Sequence, residues 1–206
     1  LSAFGGRYAE ATNAGMRDVV AALQWVHTNV AQFGGDPQNV TIMGQSGGGG
    51  KVRFLMGNPT AKDLFARSIV MSGVGSNAAY PKAVGTAVAK YTVKYLGLDA
   101  KSLDKIQSVP YQELLAANVK AMRQVEKDGL AKDLTWRPTV DGTFAPTDPQ
   151  VDGWAKYSAD KPLLIGNVLE ENNTIIRNDN GALFGLSASF ITSEAEEANR
   201  PEGEIS

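Results

Sequence analysis

Residues 13–33 carry the hydrophobic pattern of an amphipathic helix. Seven apolar side chains recur there at steps of three and four residues, which places them on one face of a helix of about five turns. They are Met16, Val19, Val20, Leu23, Val26, Val30 and Phe33. Asn13 is a favourable N-cap for this helix, and the Gly-Gly-Asp-Pro run at 34–37 ends it.

Short apolar runs at residues 40–43, 68–71 and 162–168 predict three β-strands. We expect the third run to be a buried strand, because almost all of its side chains are apolar. A long helix, a Gly/Pro turn and a short apolar strand form the repeat unit of a parallel sheet flanked by helices. The sequence therefore predicts an α/β fold with a mostly parallel sheet.

The segment between the second and third strands is helical in pattern. Residues 80–95, 102–108 and 111–125 have helical character and no strand pattern, which predicts a helical insertion over about residues 80–130. Residues 138–145 are extended around a tight turn at Asp141-Gly142. We expect one domain over residues 1–191. A tail follows at 192–206, where acidic and small residues predict poor order.

The first predicted strand runs into the sequence Gly44-Gln45-Ser46-Gly47-Gly48, which fits G-x-S-x-G. A serine nucleophile must project away from its own backbone, which requires a tight turn. We expect this turn to leave no room for side chains at Gly44 and Gly48. A glycine-rich chain produces such a match by accident about one time in ten, so the preceding strand is needed to distinguish the motif from a flexible loop. The whole pattern is that of the nucleophile elbow of the α/β-hydrolases.

Composition excludes several classes of protein and site. The 206 residues are 43% hydrophobic and 20% charged, as in an ordinary globular domain. A formal net charge of −2 gives no reason to expect nucleic acid or an anionic membrane as partner. The chain has no cysteine, which excludes disulfides, thiolate catalysis and cysteine metal sites but leaves the compartment undecided. No apolar run is long enough to span a membrane, and the sequence does not indicate an oligomeric state.

Several stretches together resemble the type-B carboxylesterases, the family that includes the cholinesterases. The resemblance extends from about residue 5 to residue 176. The matching stretches are NAGMRD (13–18), AALQWV (21–26), FGGDPQNVTI (33–42), the elbow, RSIVMSG (67–73), PTVDG (138–142) and KPLLIG (161–166). They occur in the family's order, which makes the match far more specific than the elbow alone.

The resemblance implies an α/β-hydrolase fold and hydrolysis of small-molecule carboxylic esters by a Ser-His-Glu triad, with no cofactor and no metal. By position, Ser46 corresponds to the nucleophile, and the backbone N–H of Gly47 corresponds to an oxyanion donor. Glu171, five residues beyond Gly166, corresponds to the triad acid, which holds the histidine in one tautomer. Ser72 corresponds to a position near the triad that can join its hydrogen-bond network.

The most serious departure from the family concerns the triad histidine. The triad order predicts a histidine after Glu171, but the only histidine is His27 on the predicted long helix, where we expect a solvated surface residue. The upstream loop that supplies further oxyanion donors is also absent, and the chain does not begin with methionine. We therefore expect an internal fragment, an incomplete α/β-hydrolase domain with little activity of its own. Gly50-Lys51 also replaces a small Ala-Ser pair.

Other functional classes are less well supported. A P-loop needs glycine at position 45 and Ser or Thr at position 52, where the chain has Gln45 and Val52. Residues 73–78 fit the G-x-G-x-x-A pattern of an NAD-binding oxidoreductase, but Pro81 interrupts the helix that this motif needs. A non-catalytic, cholinesterase-like adhesion module remains the main alternative, although Ser46 argues against loss of the nucleophile.

Overall fold

A computed structural model describes residues 1–73, 79–148 and 155–168. The chain divides into two compact units, Leu1–Gly166 and Asn167–Ser206. The described strands are β1 (Thr41–Gln45), β2 (Arg67–Met71) and β3 (Leu163–Gly166). The described α-helices are α1 (Ala14–Asn29), α2 (Gly47–Met56), α3 (Lys82–Tyr95), α4 (Tyr111–Lys127) and α5 (Ala155–Ser158). All of these elements lie in the first unit.

The three strands form one parallel sheet in the order β1-β2-β3. Gln45 is level with Met71, and Met71 is level with Gly166, so the carboxyl ends of all three strands meet at one edge. Parallel neighbours require crossover connections, and helices supply them in this fold. The predicted strands and the predicted parallel α/β architecture are confirmed.

The main core lies between this sheet and the helices α1 and α2. Val70 of β2 and Phe54 of α2 are almost completely buried, and Met16 and Val20 bring the apolar face of α1 into the same cluster. Each fully buried side chain of this kind contributes about 1.5–3 kcal/mol relative to an exposed one. The apolar face of the predicted helix therefore packs on the core through its first half, whereas Phe33 at its end is 74% exposed. The last turn, Val30–Phe33, is a 3-10 helix.

The prediction that the third strand is buried is wrong for the part of the chain that the structure describes. Leu164 is 66% exposed and Ile165 is 42% exposed, and only Leu163 packs against the main core. Among the described residues β3 pairs with β2 alone, so it forms an edge of the sheet. A strand is buried only where other elements cover both of its faces, and an apolar sequence alone does not provide that cover.

Asn13 occupies the predicted N-cap position of α1, but it does not cap the helix with its side chain. Its backbone is left-handed (φ 63°), and its side chain makes no capping hydrogen bond. Instead, the Asn13 carboxamide accepts the N–H of Thr139 at 2.7 Å and donates to the Thr139 carbonyl at 2.7 Å. It also donates to Asp141 at 3.0 Å. Asn13 therefore attaches the start of α1 to residues 138–145, which are remote in sequence.

The predicted helical region contains α3, a 3-10 helix at Leu103–Ser108, and α4. Val93, Leu103 and Ile106 form a second core cluster with Tyr8. The status of this region as an insertion, and the predicted domain boundary near residue 191, stay predictions. The tail at 192–206 lies outside the described residues. In the described ranges, no helix combines the length and the hydropathy that a membrane span requires.

Candidate active site

Ser46 occupies the turn between the end of β1 and the start of α2. Its backbone has φ 52° and ψ −119°, a conformation that costs a residue other than glycine on the order of 1–3 kcal/mol. Two backbone hydrogen bonds hold the turn: the Ser46 N–H donates to the Met71 carbonyl at 2.9 Å, and the Gly50 N–H donates to the Ser46 carbonyl at 3.1 Å. The residue is exposed at the apex of a sharp strand-turn-helix, the arrangement that the motif predicts.

The two glycines that the motif singles out have different surroundings. A Cβ at Gly44 would lie 2.3 Å from the carbonyl carbon and oxygen of Gly48, so the prediction that Gly44 has no room for a side chain is confirmed. The same prediction is wrong for Gly48, where an added Cβ has no neighbour within 4 Å. The second close approach is at Gly49, where a Cβ would lie 2.9 Å from the Cα of Gly73.

The amino end of α2 lies directly after Ser46. Gly47 is the first residue of this helix, and N–H groups of the first turn have no carbonyl within the helix to which they can donate. The helix dipole adds a partial positive charge at this end. Any negative charge that develops beside Ser46 is therefore close to backbone donors and to a favourable dipole.

Ser72 follows β2 as Ser46 follows β1, so the two serines lie at the same edge of the sheet. Its backbone is left-handed (φ 49°), and its N–H donates to the Gly166 carbonyl at 2.8 Å. Ser46, Gly47 and Ser72 all line one cavity of about 1810 Å³. His27 lies in the last turn of α1 and is not among the described residues that line this cavity.

The cavity is bounded by the carboxyl edge of β1 and β2, by α3 and α4, and by the segment from residue 134 to residue 143. Aromatic rings contribute to its wall. Trp136 is 70% exposed, with its indole N–H donating to the Asn118 side chain at 2.8 Å, and Tyr80 and Tyr111 line the same space. The site therefore combines an exposed hydroxyl with a broad, partly aromatic cleft.

Arg53, on α2, donates a hydrogen bond to the turn that follows β2. Its side chain is 2% exposed, and one guanidinium nitrogen donates to the Gly73 carbonyl at 2.6 Å. Burial lowers the pKa of Arg53, and the nearby Asp148 carboxylate acts in the opposite direction. Arginine still remains a cation under these conditions, so it is a permanent donor that fixes the turn after Ser72. The sequence pattern alone did not indicate this role, because Arg53 stands between apolar residues of a short helix.

Asp141 organises the loop that faces the start of α1. Its carboxylate accepts the backbone N–H groups of Thr143 and Ala145, each at 2.9 Å, in addition to the Asn13 amide. Burial raises the pKa of Asp141, but the bonds from Ala145, Thr143 and Asn13 outweigh that effect, and the pKa lies below its ordinary value. The predicted Asp141-Gly142 turn is present, with both N–H groups donating to the Ala145 carbonyl.

Two predicted features lie outside the described residues. Glu171 is one of them, so its role as triad acid stays a prediction. Residues 74–78, which hold most of the G-x-G-x-x-A match, are also outside, and α3 begins at Lys82 directly after Pro81. Among the predicted site residues, the structure therefore brings together Ser46, Gly47 and Ser72.

Comparison with known proteins relates this geometry to a family. The sequence model described as the carboxylesterase family matches residues 5–200. Para-nitrobenzyl esterase of Bacillus subtilis is 36% identical over 171 residues, which is 83% of this chain and 34% of that protein. Human neuroligin-2 is 28% identical over 200 residues, which is 89% of this chain and 22% of that protein.

Solved structures lead to the same family. An esterase from Clostridium hathewayi, which can hydrolyze aliphatic aromatic polyesters, superimposes with a TM-score of 0.73 at 33% identity over 96% of this chain and 38% of its own. The chain thus spans about a third of the length of the two esterases. The family match covers most of the sequence, and the structural neighbours share its helix-flanked parallel sheet. The chain belongs to the carboxylesterase family and has the α/β-hydrolase fold.

Proposed function

We propose that the protein containing this sequence is a carboxylic ester hydrolase in which Ser46 is the nucleophile. The observation that supports this most directly is the strained, exposed Ser46 between β1 and α2, at the wall of a large cavity. If this turn had only a structural role, we would expect glycine at position 46, because glycine adopts this backbone conformation at lower cost. Family membership supplies the reaction class.

In the proposed reaction, Ser46 Oγ attacks the carbonyl carbon of a small-molecule ester. The carbonyl oxygen becomes an oxyanion, and the Gly47 N–H at the start of α2 donates to it. A donor of this kind typically lowers the barrier by about 2.7–4 kcal/mol. The alcohol then leaves with a proton, and water hydrolyses the acyl-Ser46 intermediate to release the acid.

The proton of Ser46 requires a general base. We propose a histidine outside residues 1–206 for this role, held in one tautomer by Glu171, with Ser72 as a further member of the network. The 206-residue chain alone should then have very little activity, since the loss of one triad member removes several powers of ten in rate. His27 does not line the cavity at Ser46 among the described residues, so it is a poor candidate for the base.

A binding role is the second candidate, because human neuroligin-2 is similar over most of the chain. The presence of serine at the strained elbow position favours catalysis over binding. In a binding module the strain at Ser46 would destabilise the fold without contributing to function.

The test is covalent labelling of the full-length protein with a fluorophosphonate, followed by mass spectrometry of the peptide that carries Ser46. Wild-type protein should form one adduct at Ser46, and Ser46→Ala should form none. Glu171→Gln should label at a much lower rate, because the base loses its orienting carboxylate. Absence of an adduct in folded wild-type protein would contradict the esterase proposal and favour the binding role.

Hydrolysis of p-nitrophenyl acetate tests the role of the missing base separately. The full-length protein should turn over this ester, and the 206-residue chain should show little turnover. A rate for the short chain comparable to that of the full-length protein, abolished by Ser46→Ala, would contradict a base outside residues 1–206.

A further inference from the structure

Lys51 stands one helical turn above the elbow. Its ammonium group donates to the Gly47 carbonyl at 3.3 Å, which holds the charge over the first turn of α2. A Cβ added to Gly47 would have the Lys51 nitrogen as its nearest neighbour, at 3.9 Å. Within the described residues, no carboxylate lies within 4.0 Å of this ammonium. A positive charge thus lies beside the residue that follows Ser46, and no carboxylate of the described residues pairs with it.

The described residues that line the cavity include more basic than acidic side chains. Lys51, Ser46 and Gly47 line it together. Among the described residues, its cationic members are Lys51, Arg53, Lys82, Lys90 and Arg137, and its acidic members are Glu10 and Asp141. Basic side chains therefore outnumber acidic ones on the described part of the cleft wall.

The two acidic side chains among the described residues of the lining are already engaged. Glu10 pairs with Arg17 at 2.6 Å. The carboxylate of Asp141 accepts two backbone N–H groups and the Asn13 amide. Both carboxylates therefore have partners that reduce their repulsion of an anionic ligand, whereas the hydrogen bond of the Lys51 ammonium is to the neutral Gly47 carbonyl.

We propose that Lys51 gives this site a preference for esters that carry a carboxylate in addition to the ester group. The inference rests on the proposed function, since it assumes that cleavage occurs at Ser46. A carboxylate in the cleft would interact with the Lys51 charge and with the dipole at the amino end of α2. A neutral ester of the same size gains neither interaction. Lys51 thus acts on substrate choice without taking part in the transfer of the acyl group.

The experiment measures kcat/KM of the full-length protein for two matched pairs of esters. One pair places the charge on the alcohol side, 4-acetoxybenzoate against 4-acetoxybenzamide. The other places it on the acyl side, monomethyl glutarate against the corresponding methyl ester amide. The readout is the ratio of anionic to neutral kcat/KM, which cancels general effects of a substitution on folding or on the chemical step.

Lys51→Met should lower this ratio by about five- to tenfold for at least one pair, the size expected when a single nearby charge in a solvent-exposed site is lost. Lys51→Arg should restore most of the ratio. Lys62→Met is the matched control, because Lys62 is exposed and does not line the cavity, and it should leave the ratio unchanged. Raising the ionic strength should lower the wild-type ratio through screening.

The outcomes separate the two proposals. If wild type hydrolyses neutral esters and labels at Ser46, but the ratio is the same in wild type and Lys51→Met for both pairs, the charge preference is wrong and the esterase proposal stands. An equal fall in both rates has the same meaning, since it assigns Lys51 a general role. If wild type hydrolyses neither ester of either pair and does not label, both proposals are wrong.

Discussion

A methyl group at position 44 tests the elbow geometry most directly. The Cβ of Gly44→Ala would lie 2.3 Å from the carbonyl carbon and oxygen of Gly48 and 2.8 Å from the nitrogen of Gly49. Real Cβ atoms essentially never approach another atom within 3.0 Å, so backbone must move by roughly 0.7 Å. The atoms that must move belong to the first turn of α2, which carries the Gly47 N–H.

We expect Gly44→Ala to lower the free energy of unfolding by about 1–3 kcal/mol, the usual cost of overpacking. We also expect the fluorophosphonate labelling rate at Ser46 to fall by about 100-fold, because a displacement of about 1 Å at a catalytic group has that effect. Urea unfolding measures the first quantity, and the second-order labelling rate constant of the full-length protein measures the other.

Gly48→Ala and Gly50→Ala are the matched controls, since each adds the same methyl group within the first turn of α2. An added Cβ has no neighbour within 4 Å at either position. In a helix, alanine is more favourable than glycine by about 0.5–1 kcal/mol, so both variants should be slightly more stable than wild type. Gly44→Ala with wild-type stability and labelling would refute the steric argument, as would a Gly48→Ala variant with the same defects as Gly44→Ala.

Three further predictions concern stability. Ser46→Gly should be more stable than Ser46→Ala by about 1 kcal/mol in urea unfolding, because glycine relieves the positive-φ strain that alanine retains. Equal stabilities of the two variants would contradict this prediction. Ser68→Ala should stabilise the protein by about 1 kcal/mol, because the buried Ser68 hydroxyl has no hydrogen-bond partner among the described residues. A loss of stability would show that this hydroxyl does have a hydrogen-bond partner. The pKa of Asp141 is lowered by its hydrogen bonds, so its stabilising effect is complete above its ordinary pKa of 3.8 and is lost as the pH falls through the lower pKa of the folded state. Wild type and Asp141→Asn should therefore differ in urea midpoint at neutral pH, and the difference should shrink as the pH is lowered below 3.8. A constant difference would exclude this linkage.

The elements that the sequence predicted well are those with local causes. The strand at Thr41–Gln45 and the turn at Ser46 follow from an apolar run and from glycine spacing within a few residues. The amphipathic pattern of α1 likewise depends on its own side chains. Gly44 was identified correctly because its close neighbour, Gly48, belongs to the same motif.

The features that the sequence did not predict join residues that are distant along the chain. Asn13 is a common N-cap residue, but its amide binds Thr139, 126 positions later, and propensity cannot show that competition. Leu164 and Ile165 point to opposite faces of β3, and both are exposed although the sequence predicts a buried strand, because an apolar pattern reports hydrophobicity and not which elements cover a strand.

Two strained serines lie at the same edge of the sheet, and neighbouring elements hold both of them in place. Ser46 and Ser72 both have positive φ, and each such residue costs on the order of 1–3 kcal/mol. The turn after Ser72 is fixed from α2 at two points: Gly49 packs so closely on Gly73 that a Cβ would lie 2.9 Å from its Cα, and Arg53 donates to the Gly73 carbonyl. The Ser46 N–H in turn donates to the Met71 carbonyl. Each serine is therefore held by the strand and helix that also position the other, so relaxation of either one would disturb the packing of α2 on the sheet.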